Sequence, residues 1–143
     1  MKHMLFLIIF GMFMIPACSH TGISSADLNT LSGTEWVLED LSGRGVADRV
    51  QSTIIFKTKD RIVGWGGCNR YFTVIRSDGR SIDIGPIGST RRVCPAVVMD
   101  QEERFFKALE KADHISLEGP YLLIHSQDLE KPLKFTRVQR TDS

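Results

Sequence analysis

The chain has 143 residues, 42% of them hydrophobic and 24% charged, and this composition excludes an intrinsically disordered protein. The formal net charge is +1 and the Lys and Arg residues are scattered, so no basic stripe indicates a nucleic-acid-binding protein. A domain of this size buries roughly two-thirds of its unfolded surface and therefore needs no metal ion in order to fold.

The first 17 residues have the features of a signal peptide. Lys2 is followed by an apolar run at 4–15, which is shorter than the about 20 residues of a membrane-spanning helix. The residues IPAC that end at Cys18 resemble the lipobox of bacterial lipoproteins, in which an aliphatic and a small residue precede the lipidated cysteine. We therefore expect a signal peptide at 1–17 and lipidation of Cys18. The alternative is an ordinary secreted protein with an unmodified cysteine.

The position of the mature protein in the cell follows from the same segment. Ser19 resembles the residue that allows lipoproteins to travel to the outer membrane, so we expect an outer-membrane lipid anchor that faces the periplasm. Residues 18–30 are mostly small and polar without periodicity, and they predict a flexible tether after the lipidated cysteine. The folded domain is expected at 31–139. Because the mature chain has no excess of basic charge, the acyl chains are expected to carry the membrane attachment.

The first half of the domain is rich in β patterns. Strands are predicted at 34–39, 52–58, 61–65, 71–75 and 81–85. Lys59-Asp60 predicts a hairpin between the second and third of these strands. Asp78-Gly79 predicts a second hairpin, between the strands at 71–75 and 81–85.

After the strands, the spacing of the apolar residues changes from the period of a strand to that of a helix. Between Val97 and Ala112, apolar residues recur at spacings of three, four or seven and predict a helix. Asp100 and Glu103 have the spacing of a capping box, and the adjacent Glu102 and Glu103 predict a solvated helix face.

Three more strands are predicted at 115–118, 121–125 and 132–138. The connections are too short for parallel crossovers. The predicted fold class is therefore α+β: a single domain with an antiparallel, strongly curved sheet, a partial barrel, packed around one α-helix.

Four groups of residues carry a resemblance to a known family. They are Leu31-x-Gly33-x-x-Trp36-x-Leu38, Gly64-x-x-Gly67-Cys68-Asn69-x-Tyr71, Ile84-Gly85 with Ser89-Thr90-x-x-x-Cys94, and Glu103-x-x-Phe106-x-x-Leu109. Over 31–138 the chain resembles the META domain family, which includes the bacterial heat-inducible lipoprotein HslJ. The resemblance implies a small α+β domain of the bacterial envelope, linked to envelope stress and antibiotic tolerance, with no established reaction. It supplies no catalytic residue.

The cysteines favour a disulfide. With Cys18 assigned to the lipid, Cys68 and Cys94 remain as an even pair in an oxidising compartment. A bond between them would close a loop of about 27 residues and contribute roughly 3.5 kcal/mol by chain entropy. The alternative is two buried free thiols. The glycines at 64–67 predict a strand kink or bulge, because no helix follows them as it would in a nucleotide-binding loop.

The spacing of the polar residues indicates no catalytic or metal site. A thiol nucleophile would need one of the two later cysteines beside His114 or His125, and no pair among these four has the close spacing of zinc ligands. Arg91 and Arg92 could contact an anion, such as a lipid headgroup, or a partner, or could simply be exposed. We expect no catalytic residue, no metal and no cofactor.

Three functional classes therefore stay open. The favoured class is a non-catalytic binding or scaffolding module, with the membrane as one partner through Cys18 and an envelope protein or cell-wall component as another, but no nucleic acid. The second class binds a small apolar ligand beside Trp36, Phe56 and Phe106, and the third is a hydrolase. A packed interior favours the first class, an apolar pocket the second, and a polar cleft with a shifted histidine pKa the third.

Overall fold

The computed structural model describes residues 24–139, and its strands are joined by backbone hydrogen bonds between neighbouring strands. In chain order the elements are β1 (Ser24–Ser25), α1 (Leu28–Leu31), β2 (Glu35–Leu41), β3 (Thr53–Thr58), β4 (Arg61–Trp65), β5 (Arg70–Ser77), β6 (Ile82–Ile84), β7 (Gly88–Ser89), α2 (Ala96–Glu110), β8 (Ala112–Glu118), β9 (Tyr121–Ser126) and β10 (Leu133–Arg137). Neither helix within 24–139 is long and apolar enough to cross a membrane.

The strands form one curved antiparallel sheet. Their order is β1-β8-β9-β10-β2-β3-β4-β5-β6, with β7 paired to β5. Strand β6 packs beside β8, so the sheet closes almost completely into a barrel. The predicted α+β class, with an antiparallel curved sheet around one long helix, is confirmed.

The two helices close the two ends of the barrel. The register places the turns at 59–60, 78–81 and 119–120 at one end, where α1 buries Leu28 and Leu31. Helix α2 packs at the other end and inserts Phe105 and Leu109 into the core, where neither is exposed.

Aromatic side chains fill the space between α2 and the sheet. Phe105 contacts Tyr71 and Phe135, with ring centroids 5.9 Å and 6.3 Å apart. The hydroxyl of Tyr71 donates a hydrogen bond to the carbonyl of Thr53 at 2.9 Å. Burial raises the pKa of Tyr71, so the phenol remains a donor.

The fold begins earlier in the chain than expected. Residues 24–30 were assigned to the flexible tether, but Ser24 pairs with Leu117 of β8 and Asp27 caps α1. Leu28 is buried in the core. A helix of 4 residues is too short to produce a hydrophobic period, which is why the sequence pattern missed it. The predicted signal peptide and Cys18 lie outside the described residues.

The predicted capping box is wrong. Helix α2 begins at Ala96, and its N-cap residue is Pro95, which makes no side-chain capping bond. Asp100 lies inside the helix and pairs with Arg104, one turn later, at 2.9 Å. Proline with its fixed φ is compatible with the start of a helix without any side-chain cap.

Candidate functional site

The glycine-rich loop between β4 and β5 makes a tight turn against α2. The amide of Gly66 donates to the carbonyl of Asn69 at 2.8 Å. Gly67 has a φ of +129°, which is strained for other residues. A Cβ atom at Gly66 would lie 2.6 Å from Cζ of Phe106, so the backbone can approach the helix only without a side chain. This geometry matches the expected kink and not a phosphate-binding loop.

The loop is joined covalently to the segment that precedes α2. Cys68 and Cys94 form a disulfide, with an S–S distance of 2.00 Å and Cα atoms 5.9 Å apart. The predicted pair is therefore present in the structure, and neither cysteine is a free thiol. A nucleophilic cysteine beside a histidine is thereby removed from the candidates.

A buried carboxylate holds the same loop from the helix side. Glu102 is only 5% exposed, although the sequence predicted a solvated face at this position. Its Oε2 accepts hydrogen bonds from the amides of Cys68 at 2.8 Å and Asn69 at 2.6 Å. Its Oε1 accepts a third bond from Nδ2 of Asn69 at 2.7 Å. The carboxylate therefore satisfies backbone donors of the turn that would otherwise be buried without an acceptor.

The helical spacing contained a signal for this burial. Glu102 follows Val98 by four residues and precedes Phe105 and Leu109 by three and seven, so it lies on the apolar stripe of α2. Glu103 is exposed, as predicted. Because Glu102 is charged, it was expected on the solvated face although its spacing places it on the inner face of α2.

Asn69 extends the network to the segment that contains Arg91 and Arg92, the two arginines for which the sequence suggested contact with an anion or a partner. Its Oδ1 accepts hydrogen bonds from Oγ1 of Thr90 at 2.9 Å and from the amide of Arg92 at 2.6 Å. The backbone of this segment is thus fixed by hydrogen bonds and the disulfide. The side chains of Arg91, Arg92 and Val93 are nevertheless exposed, Val93 at 95%.

The outer side of β5 combines apolar and basic side chains. Its outward positions are Arg70, Phe72, Val74 and Arg76, so two apolar residues lie between two arginines. Phe72 is 60% exposed and Val74 is 43% exposed. A Cβ atom at Gly88 would lie 2.5 Å from Cζ of Phe72, which shows that the ring rests on the backbone of β7.

The neighbouring strands extend this surface. In the register, Val63 lies opposite Phe72 and Ile55 lies opposite Val63. The guanidinium of Arg92 lies 6.0 Å from the ring centroid of Trp65. We call this surface the basic face; it consists of an apolar stripe (Ile55, Val63, Trp65, Phe72 and Val74) and four flanking arginines (Arg61, Arg70, Arg76 and Arg92).

The basic face belongs to the positively charged half of the domain. Residues 53–92 contain eight Lys or Arg side chains, all exposed, and only three acidic ones. The rest of the described chain contains eight basic and thirteen acidic residues. The net charge is therefore close to zero only because the two halves have opposite charges. The basic residues look scattered along the sequence, but many of them lie together in the fold. One arginine of the face, Arg76, pairs with Asp83 at 3.7 Å, with both side chains exposed.

The interior provides no support for an apolar ligand. Phe56, Phe105 and Phe135 are fully buried against other core side chains. Three surface clefts, of about 780, 610 and 540 Å³, lie at the ends and the side of the barrel. Trp36, Phe56 and Phe106 line none of these three clefts. A packed core is the arrangement expected for a binding module.

His114 and His125 form a pair on the outer side of the sheet. His114 lies opposite His125 in the register, with ring centroids 5.5 Å apart, and Nε2 of His125 is 3.2 Å from Oγ of Ser116. Desolvation, followed by the neighbouring His114, lowers the pKa of His125, while Asp113 opposes the shift. Ser116 is fully buried and lies outside the three clefts, so its hydroxyl is not presented to a substrate.

Metal ligands are not assembled in the described part of the fold. Within residues 24–139, no group of three or more His, Cys, Asp or Glu side chains could hold a metal ion.

Comparisons with known proteins address the family. An NMR structure of a protein from Burkholderia xenovorans is similar at a TM-score of 0.65, with 23% identity, and the match covers 92% of this chain and 100% of that one. A second NMR structure has a TM-score of 0.63 and 20% identity, over 78% of this chain and 94% of that one. At these identities the likeness shows the fold alone. No curated protein matches the chain. The META domain family model matches residues 29–140, and the chain therefore belongs to the META domain family.

Proposed function

We propose that the protein is a lipid-anchored, non-catalytic binding module of the bacterial envelope, attached to the outer membrane and facing the periplasm. The observation that carries the proposal is the disulfide between Cys68 and Cys94, taken together with the position of Cys18 in the sequence. Cys68 and Cys94 are paired in a disulfide, which is a feature of proteins outside the reducing cytosol. Cys18 is the remaining cysteine, and it stands at the end of the apolar run.

A binding role is supported by the form of the surface. The disulfide, Glu102 and Asn69 fix the segment at 89–92, and the basic face beside it exposes apolar side chains. Rigid, partly apolar surfaces with charged surroundings are typical of interaction sites. The link to envelope stress or antibiotic tolerance rests on the family resemblance alone. The partner beyond the membrane is an envelope protein or a cell-wall component.

Replacement of Cys18 tests the anchor. In a Cys18→Ala variant we expect a larger, unprocessed precursor without acyl chains, whereas the wild-type protein should have the mass of a processed, acylated chain. A Ser19→Ala variant serves as the control, because it changes the adjacent residue and should still be processed. Mass spectrometry of the membrane and periplasmic fractions makes the measurement. Normal processing of Cys18→Ala to a soluble periplasmic protein would contradict the proposal.

A further inference from the structure

We propose that the basic face docks on the anionic phospholipid surface of the membrane to which the protein is anchored. The inference rests on the lipid anchor of the proposed function and adds an orientation to it. The domain would lie against the bilayer with β4 and β5, and would direct its acid-rich half towards the periplasm.

The chemistry of the face fits a phospholipid interface. Phe72 and Val74 are the most exposed apolar side chains of the sheet, and each has an arginine two residues away on the same strand. An aromatic ring can sit at the level of the headgroups, where its apolar surface leaves water. The guanidinium group binds phosphate through two parallel hydrogen bonds. A stripe of apolar residues flanked by arginines offers both interactions at once.

The distribution of charge favours this orientation over others. Residues 53–92 carry five more basic than acidic side chains, and the other described residues carry five more acidic than basic ones. An anionic surface attracts the first set and repels the second, and each basic residue near the membrane is worth about 1 kcal/mol. The folded domain therefore behaves as an electric dipole, although its net charge is close to zero.

The tether brings the face within reach of the bilayer. Residues 18–23 can span at most about 20 Å between the lipidated cysteine and the start of β1. Strand β1 pairs with β8, β6 packs beside β8, and β5 pairs with β6. Strand β5 is thus two strands away from β8, about 10 Å around the barrel. An anchor this short holds the face at a high effective concentration relative to the lipid, so weak contacts suffice for docking.

Fluorescence quenching tests the proposal with the intact lipoprotein. The mature, acylated protein is reconstituted into vesicles of phosphatidylethanolamine and phosphatidylglycerol that contain brominated phospholipid. Trp65 lies on the basic face, whereas Trp36 is buried in the core at 4% exposure. We expect Trp65 to be quenched in these vesicles. The quenching should fall strongly in vesicles of phosphatidylcholine alone, which carry no net charge, and in 0.5 M salt, which screens the electrostatic attraction. A Trp65→Phe variant should show no quenching.

Substitutions separate the basic face from the rest of the surface. Arg61→Gln with Arg70→Gln should lower the ratio of docked to free domain by about fivefold for each charge removed. The matched control, Arg44→Gln with Lys107→Gln, removes the same charge from exposed positions outside the basic face and should leave quenching unchanged. The side chains of all four residues are exposed, and a wild-type circular dichroism spectrum checks the fold of each variant.

The outcomes distinguish the docking from the anchor. Equal quenching in anionic and zwitterionic vesicles, equal effects of the two charge pairs, or no quenching of an acylated protein would overturn the docking and leave the anchor intact. The basic face would then bind an acidic protein or polysaccharide. A mature protein whose mass contains no acyl chains would overturn the anchor, and the docking with it.

Discussion

Removal of the Glu102 carboxylate should destabilise the domain far more than removal of its neighbour. In a Glu102→Ala variant, the amides of Cys68 and Asn69 lose an acceptor that now lies 2.8 Å and 2.6 Å away. A buried donor without an acceptor costs about 1–3 kcal/mol, so the two amides together predict a loss of about 2–6 kcal/mol. Glu103→Ala is the matched control, because Glu103 is exposed on the same helix and its replacement should cost less than about 0.5 kcal/mol.

Glu102→Gln refines the test. A glutamine oxygen can still accept from both amides, but the glutamine NH₂ group would then face Nδ2 of Asn69, where Oε1 of Glu102 now accepts a bond at 2.7 Å. Asn69 cannot turn its oxygen towards the glutamine without losing its bonds to Thr90 and Arg92. We therefore expect an intermediate loss of about 1–3 kcal/mol.

Urea denaturation of the disulfide-bonded protein measures these differences, provided that the slope of the free energy of unfolding against urea stays constant. The reasoning would be refuted if Glu102→Ala and Glu103→Ala had the same midpoint. It would also be refuted if Glu102→Gln were as stable as the wild type.

Three further predictions concern the disulfide, the glycine loop and the histidine pair. Replacement of Cys68 and Cys94 by serine should lower the free energy of unfolding by roughly 3–4 kcal/mol, measured by urea titration, and dithiothreitol should then have no further effect; a wild-type midpoint would contradict this. Gly66→Ala should cost about 1–3 kcal/mol by overpacking, since its Cβ would clash with Phe106; an unchanged thermal midpoint would show that the loop relaxes. Because folding lowers the pKa of His125 from its ordinary value of 6.5, its contribution to stability is complete above that pH and is lost as the pH falls through the lower folded-state pKa. A His125→Gln variant should therefore lose less stability than the wild type between pH 7 and pH 5 in urea titrations, and identical pH profiles would refute the assignment.

Local patterns in the sequence predicted most of the sheet. The alternation in β3, β4 and β5 and the Asp78-Gly79 turn are properties of neighbouring residues, and the structure has strands and a turn at these places. The same holds for the body of α2, where apolar residues recur with the helical period. The family motifs around Cys68 and Cys94 also depend only on sequence, and the family model confirms the assignment.

The ends of the elements were harder to predict. Helix α1 and strand β1 are too short for a period, and they form because Leu28 finds a place in a core made by distant residues. The helical period placed the start of α2 at Val97, one residue after Ala96, but the capping motif at Asp100 was wrong, because the N-cap residue Pro95 makes no side-chain bond. In each case the contacts that stabilise the end lie elsewhere in the chain.

The candidate site shows most clearly what only the tertiary structure decided. Glu102 and Glu103 are adjacent and chemically identical, yet one is buried and the other exposed, because the partners of Glu102 lie 33 and 34 residues earlier in the chain. The basic face has the same origin: Arg61 and Val74 become neighbours only through the register of β4 and β5. The sequence by itself determined which of the longer segments are strands or a helix, since that depends on local periodicity. Which charges are buried and which assemble into a surface depends on long-range pairing, and only the folded chain decides it.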